Sequence, residues 1–388
     1  MPKERPVRLA YAARMKCSLP AVVLLTPALL AATLRAAPVF IGTDAGAQSA
    51  SKGIYRSEFD PVTGKLEAPQ LAAAYPSPEF LALHPSQPVL LAVGGPRQPI
   101  ADGSNAVAAF RIAADHSLQF LGEASSGGTG ACHLAVDPSG HTVAVANYND
   151  GHIATLRLDE SGVPAPPISV VSNHGSGPDH GRQEGPHAHG VYFNKAGTRL
   201  YVPDLGLDRV LVYRFDPATS RLGGALPPLM TAAGAGPRHL AFSADESFAY
   251  VINELNSTVL SASLDEGILK PLGTVATLPA DFSGPNTTAE IEVSPDGRFV
   301  YASNRGHDSI AVFRRDLPSG ALTLVQHAPC GGKAPRHFKI APGGQWLLCA
   351  HQDSNSLSVL PLDPQSGKLG TPTSTVPCPR PICLVFSR

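Results

Sequence analysis

Charge is scarce in this 388-residue chain: 16% of residues are Asp, Glu, Lys or Arg, and they balance to a net charge of −1. With a pI near 6.9 and no run of Lys or Arg, the chain lacks the electrostatic footprint of a nucleic-acid binder or an anionic-membrane binder. Cysteine is sparse too. Of six, Cys17 falls in the N-terminal stretch, and Cys132, Cys330, Cys349, Cys378 and Cys383 form an odd set without metal-ligand or disulfide-framework spacing. They read as buried small residues, with a Cys378–Cys383 bridge left open. A Gly-x-Ser-x-Gly elbow, a Walker loop and a His-Glu-x-x-His helix are all missing. Covalent serine catalysis, nucleotide hydrolysis and zincin chemistry are therefore disfavoured.

The chain also lacks an apolar run long enough to span a bilayer. The stretch 18–34, SLPAVVLLTPALLAATL, is short and carries two prolines. Preceded by Arg5, Arg8, Arg14 and Lys16, it reads as a signal peptide over residues 1–37. This places the mature protein in the periplasm or outside the cell, with a cytoplasmic location as the alternative. No other membrane association is expected.

Gly and Pro, by contrast, are plentiful, at 37 and 38 residues. They punctuate short Val/Leu/Tyr/Phe runs, the composition of many short strands. Aligning those runs exposes an internal repeat: FLALHPSQPVLLAVGG, CHLAVDPSGHTVAVANYN, HGVYFNKAGTRLYVPDLG, RHLAFSADESFAYVINEL, EIEVSPDGRFVYASNRG and RHFKIAPGGQWLLCAHQD. The turn recurs roughly every fifty residues, the length of a four-stranded propeller blade. The N-terminal segment PVFIGTD…GIYRSEFDPVTGKL holds a second, third and fourth strand, and the C-terminal PICLVFS holds only a first. Pairing the two ends completes a seventh blade and closes the ring, so the expectation over 38–388 is an all-β, seven-bladed β-propeller.

In that geometry the start of each first strand and the end of each second strand meet at one mouth. The first column reads Glu79, Cys132, His189, Arg238, Ala289, Arg336 and Ile382, and its neighbour reads Phe80, His133, Gly190, His239, Glu290, His337 and Cys383. The second strands end in residues that include Asp204, Glu254, Asn304, Arg305 and His351. Structural positions of a repeat should be alike, whereas these differ in polar and charged residues, as a ligand site requires. Arg238, Arg305 and Arg336 can bind a carboxylate or phosphate and polarise a carbonyl. His189 or His187, with Glu254, supplies proton transfer near neutral pH. His239, Glu290, Arg336 and His337 complete the candidate substrate-binding set.

Plainer roles compete with these. His239 and His337 can brace blades, Arg238 and Glu254 can be an inter-blade salt bridge, and Asp204 and Asn304 can cap turns. A metal held by His174, His180, His187 and His189 is disfavoured for want of a carboxylate or cysteine partner. No cofactor and no metal are expected. The Gly/Ser/Pro-rich segment 173–185 is expected as a loop over the mouth.

The stretches RQEGPHAHGVYF, DLGLDRVLVYRFD, GPRHLAFS with YVINELNSTV, AEIEVSPDGRFVYASNRGHDSIAVF and APRHFKIAP with QDSNSLSV together resemble the seven-bladed propeller lactonase family. That family includes propeller-type 6-phosphogluconolactonases and fungal 3-carboxy-cis,cis-muconate lactonizing enzymes. The resemblance implies a metal-free site of a histidine, two arginines and a glutamate, matched here by His189, Arg238, Arg305 and Glu254. It implies hydrolysis of a sugar lactone; the protein itself is expected to be a monomer. The alternatives are cyclisation of a carboxymuconate-like substrate and a non-catalytic exported propeller that binds a ligand.

Overall fold

The computed structural model describes residues 1–3, 36–44 and 49–387. Two units divide the chain, Met1–Thr33 and Leu34–Arg388, and every described strand belongs to the second. The expected leader, 1–37, thus lies almost wholly outside the described residues.

Seven antiparallel sheets follow one another along the chain. Six of them are contiguous four-strand blades; in blade 5, Pro237–Phe242, Phe248–Asn253, Thr258–Asp265 and Ile268–Ala276 pair in order. Blade 1 is built from both termini. Pro381–Phe386 pairs with Ala37–Thr43, setting Val39 opposite Phe386 and Ile41 opposite Leu384. This is the split unit expected from the sequence, and it leaves the ring without an open seam.

The second strands are buried along nearly their whole length, Val89–Gly94 and Thr142–Asn147 at every residue. Neighbouring blades cover both of their faces, which is why they read as unbroken apolar runs and not as alternating ones. The core is accordingly divided into layers between blades: Tyr201, Val210 and Val212 of blade 4 pack on Leu240, Val251 and Leu260 of blade 5.

A polar anchor repeats within those layers. The Tyr201, Tyr250 and Tyr301 hydroxyls donate to the carbonyls of Gly267, Gly320 and Gly367 in the next blade's outer hairpin, at 3.0, 3.1 and 2.9 Å. Across the closure Trp346 Nε1 does the same to Pro61 O at 2.9 Å. Gly64, at φ +72°, could not be another residue, because a Cβ there would sit 2.4 Å from the Trp346 ring. Cys378 and Cys383 are unbridged. They belong to different core layers, one with Leu66 and Leu384 and the other with Leu81 and Phe110, which rules out the pairing left open above.

Candidate active site

Strand irregularity aims the mouth residues. In five blades the first strand bulges near its start, and the unpaired residue is a member of the predicted column. Cys132 is skipped between Ala131↔Asn147 and His133↔Ala146, Arg238 between Pro237↔Asn253 and His239↔Ile252, and Arg336 between Pro335↔His351 and His337↔Ala350. Ile382 is skipped in blade 1, and Ala289 and Glu290 share the irregular stretch of blade 6. Strict alternation would turn one of each adjacent pair away from the channel; the bulge lets Arg238 and His239, or Arg336 and His337, both face it.

Blade 4 departs further. Its first strand is only Tyr192–Phe193, and the chain before it is held by single contacts, among them His189 N donating to Pro203 O at 2.9 Å. Pro186 and Gly190 interrupt the strand pattern here.

Glu254 is the electrostatic centre. Arg238 Nε lies 2.9 Å from Oε2, Arg305 Nη2 3.0 Å from the same oxygen, and Arg182 Nη2 2.7 Å from Oε1. Burial by itself would raise this carboxyl, but Arg305, Arg238 and Arg182 hold it down at about 2. It is therefore a fixed anion with both oxygens engaged. Arg238 also donates to Ala289 O at 2.8 Å and Arg305 to Thr288 O at 2.7 Å, so both guanidiniums are locked in place. Burial lowers Arg305 to about 9, which leaves it cationic at neutral pH.

Above this cluster opens a cavity of about 550 Å³ lined by Glu79, Cys132, Tyr148, Asn149, Arg182, His189, Glu254, Arg305 and Arg336. His189 is buried, and its own burial and Arg238 keep it well below the ordinary imidazole range, so the ring is neutral with a lone pair available. His187 is turned elsewhere. Its Nδ1 donates to Tyr148 O at 2.7 Å and its ring stacks on Tyr148 at 4.5 Å, so it supports a wall residue.

Arg336 and Glu79 share the remaining wall. Among the described residues no carboxylate lies within ion-pair distance of the Arg336 guanidinium. Burial raises the Glu79 carboxyl, with Arg336 offsetting part of the rise.

His239, Glu290 and His337 sit one layer deeper. Glu290 Oε2 takes His239 Nδ1 at 3.1 Å and His337 Nε2 at 3.3 Å. Burial holds both imidazoles low, His337 at about 3, so both donate as neutral rings. With Phe80, His239 and His337 form the narrow neck below the mouth. Glu290 and His337, with Lys339, line a separate cavity of about 270 Å³ further along the channel. Asp204 Oδ1 accepts from His187 N and Leu207 N at 2.8 and 3.1 Å, as a turn cap does.

The model for the family described as "Lactonase, 7-bladed beta-propeller" matches residues 38–386. The chain belongs to that family. It is 34% identical to the 6-phosphogluconolactonase of Bacillus subtilis over 87% of this chain and 95% of that protein. A 6-phosphogluconolactonase of Formosa agariphila is 31% identical over 82% of this chain and 90% of that one. The solved periplasmic gluconolactonase of Pseudomonas aeruginosa superposes with a TM-score of 0.84 at 32% identity, covering 91% of this chain and 99% of that one.

In this lactonase propeller the mouth cavity is lined by the predicted His189, Glu254, Arg305 and Arg336, with Arg238 paired to Glu254 from the neck below, and His187, His239, Glu290 and His337 lie outside the cavity lining. Two further charged residues line the cavity without a functional signal in the sequence. Glu79 stands in the first column. Arg182 arrives from the loop over the mouth, where no repeat position marks it; its one sequence signal was its place at the head of RQEGPHAHG. The loop is tied down by Gln183, whose Nε2 donates to Leu205 O and Asp208 Oδ1, both at 2.8 Å.

Proposed function

We propose that this protein is a hydrolase that opens a sugar lactone. The observation that carries the reading is the mouth cavity itself. Arg182 and Arg305 of its lining, and Arg238 beneath it, share the one carboxylate of Glu254, so the cluster keeps a net positive charge, and Arg336 adds a further cation to the wall for a ligand.

Glu254 cannot serve as the base, because a carboxyl near 2 with both oxygens engaged has little affinity for a proton. Its work is to hold Arg238, Arg305 and Arg182 in one geometry. Water activation falls to Glu79, the second carboxylate of the same cavity, whose surroundings push it the opposite way. Glu79 takes a proton from water as its oxygen adds to the lactone carbonyl. The electron pair moves onto the carbonyl oxygen, facing the fixed arginines. When the intermediate collapses, the ring C–O bond breaks and the departing oxygen takes the proton from Glu79, leaving a hydroxy acid. His189 supplies a lone pair to orient the water.

Arg336 binds a polar or anionic group of the substrate. Arg336→Met is expected to raise KM about 10- to 100-fold with a smaller change in kcat, as for a lost charge-assisted hydrogen bond. Steady-state kinetics on gluconolactone, its 6-phosphate and a carboxymuconate lactone checks this and separates the substrate classes. An unchanged KM would remove Arg336 from the site. The leader-like segment and the likeness to a periplasmic gluconolactonase support export and a lactone without phosphate.

A further inference from the structure

A staple recurs between blades at the mouth side. One residue past an outer strand, Ser126 Oγ lies 2.8 Å from Asn147 Oδ1 at the end of the next blade's second strand. Thr277 Oγ1 and Asn304 Oδ1 repeat the pair at 2.7 Å. Between blades 6 and 7 the same two places hold Cys330 and His351, with Sγ 3.8 Å from Nδ1. Cys349, two residues before His351 on strand Trp346–His351 and so on the same face, adds a second sulfur 3.9 Å from Nδ1. All three residues are buried, and their donor atoms lie within 4.8 Å of one another.

The hydrogen bonds fix the imidazole tautomer. Ser358 Oγ is 2.6 Å from Cys330 O, which can only accept, so the hydroxyl proton is spent there. His351 Nε2, 2.8 Å from the same Oγ, must then donate. Its Nδ1 is left as a bare lone pair directed at two sulfurs, and the Nε2–H contact orients the ring as such contacts do for metal-bound histidines. Metal–sulfur and metal–nitrogen bonds of about 2.3 and 2.0 Å require an S···N separation of about 3.5 to 3.7 Å. The observed 3.8 and 3.9 Å need only a small inward shift.

We propose that Cys330, Cys349 and His351 bind one thiophilic d10 metal ion, clamping blades 6 and 7 together. Two thiolates would neutralise Zn(II), and the Cys330 thiol's hydrogen bond to Asp308 O at 2.9 Å is given up on ionisation. Three-coordination by soft donors suits Cu(I). In either case binding ionises two S–H groups and releases two protons, so it tightens as pH rises.

The test is titration of the reduced full-length protein with Zn(II) and, anaerobically, with Cu(I), against a chelating indicator. One equivalent of one of the two ions is expected to bind, with a sulfur-to-metal ultraviolet absorption for Cu(I). The double variant Cys330→Ser, His351→Asn restores the pair used at the Ser126 junction, so it should fold, and it should bind at least about 10-fold more weakly. Cys349→Ser, which leaves the staple in place, should do the same, and both variants should keep lactone turnover. Binding of neither ion, undiminished binding in the variants, or a Cys330–Cys349 disulfide in unreduced protein would overturn the assignment.

Discussion

Glu254→Gln is expected to cost about 3–5 kcal/mol of folding stability and to remove most lactone turnover. The native carboxylate compensates Arg182, Arg238 and Arg305 at 2.7, 2.9 and 3.0 Å, with Arg238 and Arg305 almost fully buried. Glutamine keeps the shape but withdraws the charge and points an N–H₂ donor at guanidinium donors. Arg238 and Arg305 are then largely buried cations without an anion, and the polarising wall of the cavity loses its geometry. Urea unfolding and kinetics at neutral pH check both effects.

The pH dependence has a definite sign. The folded-state carboxyl, at about 2, lies below its ordinary value of 4.5, so its stabilisation is present above 4.5 and is lost as pH falls toward 2. The variant should therefore show a flatter acid-unfolding profile across that window. Equal stability and equal kcat would show that Glu254 is not the electrostatic centre of the site.

Glu79→Gln is expected to lower kcat by about 10²- to 10⁴-fold with KM changed only a few-fold, the pattern of a lost general base. Its signature lies in the pH profile. A base protonated at low pH gives a rate that falls as pH drops through its pKa, and burial places that fall above the ordinary glutamate range. The glutamine variant should lose this limb, whereas a specificity role would move KM and keep it. An acid limb that survives in Glu79→Gln and vanishes in His189→Asn would transfer the base role to His189.

Much of this architecture was legible in the chain. The second strands advertise themselves because both faces are buried, and the incomplete units at the two ends announce how the ring closes. Strand polarity was enough to bring Arg238, Glu254, Arg305, Arg336 and His189 to one rim. Depth was not legible. His239 and His337 follow Arg238 and Arg336 directly, and only the bulges, which leave no periodic trace, decide that both members of each pair enter the channel, one at the floor of the mouth and one in the neck.

Nor was the division of labour between carboxylates. By residue type Glu254 reads as a base, but three guanidiniums surround it, one of them carried in by a loop outside the repeat. Glu79 is unremarkable beside them in the sequence, because its character comes from burial.

The most direct measurement is acid release from δ-gluconolactone and its 6-phosphate in a pH-stat, with wild-type protein and Arg305→Met side by side. Wild type should open at least one of these lactones well above the buffer rate, and Arg305→Met should lose roughly 10²- to 10³-fold in kcat, as when one oxyanion-stabilising group is removed. Opening of neither lactone by folded wild-type protein, or equal rates in the two proteins, would contradict the assignment of this mouth as a lactone-hydrolysing site.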